Sequence, residues 1–547
     1  MKPKSKSKKL LSISQSITKM IEFHVPEENR NLHSTKKPEK LFSLAIALLG
    51  DYARVINTDY DNPQKKEFKA DLIYSAEFFE SYANSHIFEN PIYELLIGAT
   101  TYYLCDLPGS CRVLIDRIPL EYTYEFNCDN LDKLLFWLLK GDYTKKQNSL
   151  SNSEKYNEYF LPLQESLQKF FIGNYQESNF YSISANLRRK AYNTGNPREL
   201  LFSELIAAVV KEKIVNSSIN LLPNYSDLSI STWLPIINNG IFIKELWPSQ
   251  KLLGENGVFK GQSAVIQMPT SSGKTKSIEI IIGSSFFSNR TEIAVIVAPF
   301  KALCSEISEE LRLAFSEEKN IDINQLNDAF ESSEKKLFYT NEKKHILIVT
   351  PEKLYYLLSI DKTIANTINL IIFDEGHQFD NGSRGITYEL LITELKILLP
   401  ENAQKILISA VIHNAESIAN WLFSGALTIT SNYVPTKKNI GFIDFDMGPC
   451  IRFIDTEDFS EKYFVPRILP NFSSENTNYL LRSQTPTNIS LFMGFQMVTE
   501  GSVAIFCGQK KSVTKMMKDV TNAIEKSPTE FNISSLGDSA EIHKIAS

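Results

Sequence analysis

The stretch MPTSSGKTKS, from Met268 to Ser277, decides the fold prediction for this 547-residue chain. It follows the apolar run SAVIQM and precedes an apolar pattern of helical period, so it lies between a strand and a helix. The backbone amides of such a turn, with the N-terminus of a helix behind them, cradle phosphate oxygens. The sequence therefore predicts a phosphate-binding loop at this position.

Each part of this loop has an expected role in binding ATP and Mg²⁺. Lys274 is expected to reach the β and γ phosphates, and the Thr275 hydroxyl to hold Mg²⁺. Gly273 allows the backbone to approach the phosphates closely. The general phosphate-loop pattern has a glycine where this chain has Met268, so the match to that pattern is imperfect. The residues predicted to bind ATP through the loop are Thr270, Ser271, Ser272, Gly273, Lys274 and Thr275.

A second motif, IIFDEGH from Ile371 to His377, places an acidic pair at the end of an apolar run. Asp374 follows that predicted strand directly, so its carboxylate should emerge at the sheet edge and hold Mg²⁺. Glu375 is placed to orient or deprotonate an attacking water. The two motifs together predict ATP hydrolysis, with Lys274, Asp374 and Glu375 as the catalytic residues.

Residues 231–424 have the pattern of an α/β domain. Short Val- and Ile-rich runs alternate with amphipathic stretches, and the runs are SAVIQM, IAVIVA, HILIVT, LIIFD and KILISA. Apolar runs separated by helices are typical of a parallel sheet buried on both faces. Ligands of such sheets bind at the carboxyl ends of the strands, where both motifs lie.

The remaining segments give three further predictions of organisation. Residues 1–230 read as a mainly helical accessory domain, whose clearest helix begins with Asn196 as N-cap, Pro197 as first residue and Glu199 completing a capping box. Residues 425–495 read as a connecting segment with some strand content. Residues 496–547 restart a strand–turn–helix pattern at Ser502, which predicts the incomplete beginning of a second α/β lobe.

The order and spacing of these motifs resemble the superfamily 2 DExH/DEAD-box helicases, and most closely their Ski-like branch. DEGHQFDNGSRGITYE resembles that branch's extended motif II, with Arg384, Gly385 and Glu389 in place. ISAVIHNAESIANWL resembles motif III, VAPFKALCSEI motif Ia and VTPEKLYYLL motif Ib. The resemblance covers Leu246 to Ile412 and implies a RecA-like ATP-binding lobe, followed by a second, truncated RecA-like lobe.

The resemblance also implies roles for residues outside the two central motifs. Gln250 would read the adenine of ATP. Nucleic-acid contacts would come from Pro299, Lys301 and Thr350, and coupling of the ATP state to lobe closure from His377, Ser409 and Ala410. The chain departs from the family where Val411 replaces the threonine of motif III, which puts the coupling in doubt. Motifs V and VI, with the arginine that stabilises the transition state, are missing.

Composition excludes several other classes of protein. The net charge of −6 argues against a uniformly basic nucleic-acid coat but allows a basic groove. None of the six cysteines forms a CxxC pair, so neither a zinc site nor a disulfide framework is predicted. The sequence has no signal-peptide pattern and no apolar run of membrane-spanning length, so a cytoplasmic protein without a membrane partner is expected.

Three functional hypotheses remain open from the sequence. The first is an ATP-dependent helicase or translocase acting on DNA or RNA. Its DEGH box and helical N-terminus resemble helicases of bacterial antiphage defence, the Hachiman type among them, which would imply a nuclease partner and DNA as substrate. The second is a single-lobed ATP-binding scaffold or switch. The third is an inactive piece of a longer helicase, because the sequence stops within the pattern of the second lobe.

Overall fold

The computed structural model describes residues 2–30, 38–85, 91–118, 130–144, 155–172, 179–239, 241–326, 343–377, 382–412, 414–422, 425–446, 448–456, 458–469, 472, 474, 478–498 and 501–526. The chain divides into two compact units. Unit 1 comprises Met1–Tyr52, Lys66–Thr101 and Lys438–Ser547, and unit 2 comprises Ala53–Lys65 and Tyr102–Lys437. The domain boundaries expected from the sequence stay a prediction.

The helices lie mainly in the first half of the chain and between the strands of the second half. They are α1 (Ser5–Glu22), α2 (Pro38–Thr58), α3 (Lys65–Ala83), α4 (Ile92–Leu104), α5 (Pro108–Asp116), α6 (Leu131–Lys140), α7 (Asn157–Ile172), α8 (Phe180–Thr194), α9 (Pro197–Val215), α10 (Ser218–Ser226), α11 (Ile230–Asn238), α12 (Pro248–Glu255), α13 (Lys274–Phe287), α14 (Lys301–Ala314), α15 (Pro351–Ile360), α16 (Gly382–Leu398), α17 (Ala415–Leu422), α18 (Pro486–Met497) and α19 (Lys510–Lys526). Short 3₁₀ helices span Glu27–Asn29, Val258–Lys260, Lys362–Thr367 and Tyr479–Arg482.

The strands form two separate sheets. They are β1 (Ala264–Gln267), β2 (Ile293–Val297), β3 (Ile321–Gln325), β4 (Lys344–Val349), β5 (Leu370–Phe373), β6 (Gln404–Ser409), β7 (Leu427–Thr430), β8 (Ile440–Asp444), β9 (Cys450–Ile454) and β10 (Glu461–Pro466). Unit 2 contains the larger sheet, with seven strands in the order β3-β4-β2-β5-β6-β1-β7. All its neighbouring strands pair in parallel, so the predicted α/β fold with a RecA-like parallel sheet is confirmed.

The strand order places the two central motifs side by side. β5 and β1 each pair with β6, so the segments that follow these three strands emerge together at the carboxyl edge. The strands themselves are buried because helices cover the sheet, and Val265, Phe373 and Leu407 belong to one apolar core cluster. Burial of each such side chain contributes about 1.5–3 kcal/mol to the stability of the folded sheet. The stable sheet holds the loops at its edge in defined positions.

The predicted start of helix α9 is confirmed in detail. The Asn196 side-chain oxygen accepts hydrogen bonds from the backbone N–H groups of Arg198 and Glu199, both at 2.9 Å. The Glu199 carboxylate accepts a bond from the Asn196 backbone N–H at 3.2 Å, which completes the capping box. Pro197 occupies the first helical position, where its missing N–H costs no hydrogen bond.

The smaller sheet, in unit 1, is antiparallel with the order β10-β9-β8. Helix α1 covers the outer edge of β10, since the hydroxyls of Ser12 and Ser16 donate to the carbonyls of Lys462 and Phe464 at 3.1 and 2.6 Å. An apolar cluster that includes Met20, Val465 and Phe492 forms the core of this unit.

One predicted strand is wrong. Residues 502–507 were expected to open a second lobe as a strand, but they form none. A strand needs a neighbour to satisfy its backbone N–H and C=O groups, and no described segment pairs with this one. Its Phe506 side chain is 93% exposed, whereas a central strand of an α/β sheet would bury it. The helix expected next is present as α19.

Among the described residues one helical stretch, Lys40–Thr58, is long and apolar enough to cross a membrane, by length and composition alone. Core helices of globular proteins can have the same length and composition. Buried residues in this stretch recur at helical spacing along one face, as in a core helix, and they include Leu41, Ala45, Leu48, Leu49 and Tyr52.

Candidate active site

The phosphate loop connects β1 to α13 in a strained backbone conformation. Ser271 and Gly273 have left-handed φ angles of 66° and 91°. The φ of Gly273 would strain any other residue, and a Cβ atom there would lie 2.2 Å from Gln250 Nε2, so glycine is favoured at this position. The loop is tied to the sheet at its start, where the Met268 backbone N–H donates to the Ser409 carbonyl at 2.9 Å.

Two side chains from the start of α12 fix the far end of the loop. The Ser249 hydroxyl donates to the Ser272 carbonyl at 2.7 Å, and Gln250 Nε2 donates to the Gly273 carbonyl at 3.1 Å. Gln250 Oε1 accepts from the Trp247 backbone N–H at 2.7 Å, and its side chain is fully buried. No local sequence pattern indicates this anchoring role, and the adenine contact expected of Gln250 stays a prediction.

Helix α13 begins at Lys274 and presents its N-terminus to the loop. The first-turn N–H groups of a helix have no intrahelical acceptor and carry partial positive charge, which suits a phosphate. Lys274 Nζ lies 3.1 Å from Glu375 Oε1, with exposed side-chain fractions of 10% and 24%. This ion pair joins the phosphate loop directly to the acidic motif.

Asp374 and Glu375 follow β5 at the edge of the sheet. Asp374 is only 6% exposed. Burial, and after it the neighbouring Glu375 charge, raise the pKa of its carboxyl to about 6. The Glu375 backbone N–H donates to Asp374 Oδ1 at 2.9 Å, and Glu375 has a left-handed φ of 50°. Buried carboxylates with raised pKa values are frequent at functional sites.

The oxygen donors at this edge fit Mg²⁺. Mg²⁺ bound with nucleotides takes one or two oxygen ligands from the protein and completes its octahedron with phosphates and water. The Asp374 carboxylate and the Thr275 hydroxyl are donors of this kind. Among the described residues, no group of three or more His, Cys, Asp or Glu side chains is arranged to hold a metal ion.

His377 and Ser409 extend the network to the third strand. His377 Nδ1 lies 3.0 Å from Ser409 Oγ and 3.2 Å from Glu375 Oε2. Ser409, the last residue of β6, is fully buried, and Ala410 follows it directly. The predicted coupling residue His377 therefore contacts both Ser409 and the predicted base Glu375. The side chain of Val411 is 55% exposed.

The predicted nucleic-acid contacts lie on other strands of the same edge. Pro299 follows β2 and is buried, whereas Lys301 is exposed at the start of α14. Thr350 follows β4, and its hydroxyl accepts from the Lys353 backbone N–H at 3.4 Å as the N-cap of α15. Their contacts with nucleic acid stay predictions, and the Arg384 side chain lies outside the described part of the chain.

Glu279, one turn into α13, gives a prediction about stability. Lys276 Nζ lies 2.6 Å from Glu279 Oε1, but Oε2 has no hydrogen-bond partner among the described residues. Burial raises the pKa of Glu279 to about 7. The folded state therefore holds this proton more tightly than the unfolded state, and stability should fall as pH rises from about 4.5 to about 7.

Glu279→Gln should remove that loss. The free energy of unfolding of the variant minus that of the wild type is expected to increase by about 3 kcal/mol when the pH is raised from about 4.5 to about 8. Urea unfolding at both pH values measures the difference. The exposed Glu317→Gln serves as control and should leave the pH dependence unchanged. Parallel stability curves for Glu279→Gln and the wild type would contradict the burial argument.

Comparisons with known proteins find similarity in the part of the chain that contains this edge. The DEAD/DEAH box helicase family model matches residues 248–418, a range that begins within two residues of Gln250 and includes both central motifs. Hachiman protein HamB of Bacillus cereus is 35% identical over 296 residues, which are 53% of this chain and 26% of that protein. The ATP-dependent DNA helicase Hel308 of Methanococcus vannielii is 28% identical over 279 residues, 50% of this chain and 33% of that protein.

Among solved structures, the Mycobacterium smegmatis helicase Lhr bound to ssDNA and AMP-PNP aligns with a TM-score of 0.30 and 21% identity. The alignment covers 34% of this chain and 26% of that one. The matched part of the chain thus spans 26% of the HamB relative and 33% of the Hel308 relative.

Proposed function

We propose that the protein is an ATP-dependent helicase or translocase acting on DNA or RNA, since residues 248–418 match the DEAD/DEAH box helicase family model. The observation that carries the proposal is the chain of contacts Lys274–Glu375–His377–Ser409 across the ends of three adjacent strands. It joins a phosphate-binding group, a carboxylate base and a candidate coupling pair in one network.

ATP would bind with its phosphates against the loop and the N-terminus of α13, with Mg²⁺ as cofactor. Lys274 would hold the β and γ phosphates, while Thr275 and Asp374 would hold Mg²⁺. When bound, the metal neutralises charge that develops on the transferred phosphoryl group. Thr270, Ser271 and the other loop residues would supply backbone N–H donors, as nests of left-handed residues do for anions.

The Lys274–Glu375 ion pair suggests how ATP prepares the base. A γ phosphate would compete with Glu375 for the Lys274 ammonium group, since both are anionic oxygens within reach of one donor. Once released, the Glu375 carboxylate can orient a water and accept its proton. His377 Nδ1, already 3.2 Å from Glu375 Oε2, would then keep the carboxylate in place.

Movement along a strand would be coupled to this chemistry through the third strand. A change at Glu375 reaches Ser409 through His377, and Ala410 continues the chain from there. Pro299, Lys301 and Thr350 would contact the nucleic-acid backbone at the same edge, as phosphate contacts commonly use loop ends and lysines. These roles carry the family resemblance onto matching residues of this chain.

A defence role of the Hachiman type is the finer part of the proposal. It is supported by the 35% identity with the Bacillus cereus protein and by the resemblance of the motifs. It implies DNA as substrate, a nuclease partner and a place in the cytoplasm. Affinity purification of the tagged protein from its native host should recover a nuclease, and recovery without one would count against this part.

Steady-state ATP hydrolysis with and without single-stranded DNA or RNA tests the function as a whole. The rate should depend on Mg²⁺ and rise when nucleic acid is added. Tight ATP binding without turnover at any nucleic-acid concentration would favour the alternative of an ATP-binding scaffold or switch. A preference for DNA over RNA would support the Hachiman-type proposal.

A further inference from the structure

The side chain of Glu245, which lies outside the ATP-site motifs, accepts hydrogen bonds from one residue of α4 and one residue of α9. Its Oε1 accepts from Lys213 Nζ at 2.6 Å, and its Oε2 accepts from the Tyr103 hydroxyl at 2.6 Å. The Lys213 side chain, in α9, is only 3% exposed. Short bonds to a carboxylate are about twice as strong as bonds between neutral groups, so Glu245 is fixed relative to Tyr103 and to α9.

The backbone around Glu245 is fixed to the same region. The Leu246 N–H donates to the Asn216 carbonyl at 2.8 Å, and the Ser218 N–H donates to the Lys244 carbonyl at 2.9 Å. These bonds flank an antiparallel bridge between Ser217 and Glu245. The segment Lys244–Leu246 is therefore attached to the turn between α9 and α10.

The next residues of this segment reach the phosphate loop. The Trp247 N–H donates to Gln250 Oε1 at 2.7 Å, and Gln250 Nε2 donates to the Gly273 carbonyl at 3.1 Å. Ser249 adds its bond to the Ser272 carbonyl at 2.7 Å. Hydrogen bonds, continued by the covalent backbone from Glu245 to Trp247, thus connect Tyr103 and Lys213 to the loop.

We propose that Glu245, Lys213 and Tyr103 are positioning residues of the ATP site, through which the last residues of α4, Tyr102–Leu104, and helix α9 set the conformation of the phosphate loop. The inference rests on the proposed ATP-binding function. It makes these three residues supports of the nucleotide site. By linkage, any ligand that moves Tyr103 or α9 changes the affinity for ATP, and ATP changes the affinity for that ligand by the same factor.

Helix α9 contains a second glutamate that can serve as a matched control for Glu245. Glu199, near the start of α9, is also held by a lysine and a tyrosine: its Oε2 accepts from Lys155 Nζ at 2.6 Å and from the Tyr156 hydroxyl at 2.7 Å. Glu199 is 6% exposed and, unlike Glu245, precedes no segment that bonds to the loop. Glu245→Gln and Glu199→Gln therefore remove equivalent charges, and only the first is expected to disturb the loop.

The test compares the two variants by ATP kinetics, thermal unfolding and amide hydrogen exchange of the peptide containing Ser271–Thr275 without nucleotide. Both should unfold at lower temperature than the wild type. Only Glu245→Gln should raise the KM for ATP about tenfold, equivalent to about 1.4 kcal/mol, with kcat changed less than about twofold. Only this variant should also speed exchange in the loop. Tyr103→Phe, which removes a single bond, should show the same pattern at about threefold.

Two results would overturn the inference. One is a Glu245→Gln protein whose KM and loop exchange match those of Glu199→Gln, which would reduce Glu245 to a purely structural role. The other applies if Glu245→Gln fails to fold. It is a folded Tyr103→Phe protein in which the amide hydrogens of the loop exchange at the wild-type rate. A wild type that binds no ATP would end the proposed function, yet the exchange comparison would still decide the positioning role.

Discussion

Glu375→Gln should abolish ATP turnover while leaving ATP binding intact. The substitution removes the carboxylate that would accept the proton of the attacking water, and such a base contributes about 10²–10⁴-fold to the rate. It also removes the charge that holds Lys274 Nζ at 3.1 Å. Because that pair is partly exposed and worth about 1 kcal/mol at most, ATP affinity should rise less than about fivefold. Phosphate release and displacement of a fluorescent nucleotide measure the two effects separately.

Glu394→Gln is a suitable control for this experiment. Glu394, on α16, forms an ion pair with Lys362 at 3.5 Å and belongs to neither of the two central motifs, so its loss should change neither turnover nor binding. Normal turnover in the Glu375→Gln protein would contradict the assignment of the base. A joint loss of binding and folding would be visible in thermal unfolding and would call for Glu375→Ala.

Lys274→Ala should weaken ATP binding itself. The Lys274 ammonium group would be the loop's charged donor to the phosphates, and a hydrogen bond to a charged group contributes about 1.5–3 kcal/mol. The expected loss in affinity is therefore about 10- to 100-fold, and turnover at ordinary ATP concentrations should fall with it. Equilibrium titration with a fluorescent ATP analogue measures the affinity directly.

Lys260→Ala controls for the loss of one positive charge. Lys260 pairs with Asp227 at 2.8 Å, with exposed side-chain fractions of 43% and 69%, and precedes β1 on the opposite side from the loop. If Lys260→Ala keeps the wild-type affinity for ATP and Lys274→Ala loses most of it, the loss is due to the position of Lys274 in the loop and not to the loss of one positive charge. Equal affinity of Lys274→Ala and wild type would contradict the phosphate-binding role.

Much of the large sheet could be predicted from the sequence because its central strands are continuous apolar runs. β1, β2, β4, β5 and β6 match the five predicted runs. The edge strands were not predicted as part of this sheet: β3 has the polar sequence IDINQ, and β7 lies in the segment expected to be a connection. Edge strands bury little of their surface, so they lack the apolar signal that identifies central strands.

The residues of the candidate site could be identified from their motifs, but their contacts could not. Lys274 and Glu375 are far apart in sequence, and only the strand order β5-β6-β1 brings them together. Similarly, the anchoring of Gly273 by Gln250 depends on the burial of one glutamine, which no local pattern encodes. Residues 502–507 show the converse, since an apolar run of strand type forms no strand without a partner to pair with.

Equilibrium binding of ATP to the Glu375→Gln protein, with and without Mg²⁺, tests most directly whether Met268–Thr275 and Asp374 form a nucleotide site. Because this variant should not consume ATP, the titration reports binding alone. Saturable binding that tightens with Mg²⁺ and is lost in the double variant with Lys274→Ala is the predicted result. A folded protein that fails to bind ATP, or binds it equally well after Lys274→Ala, would contradict the site.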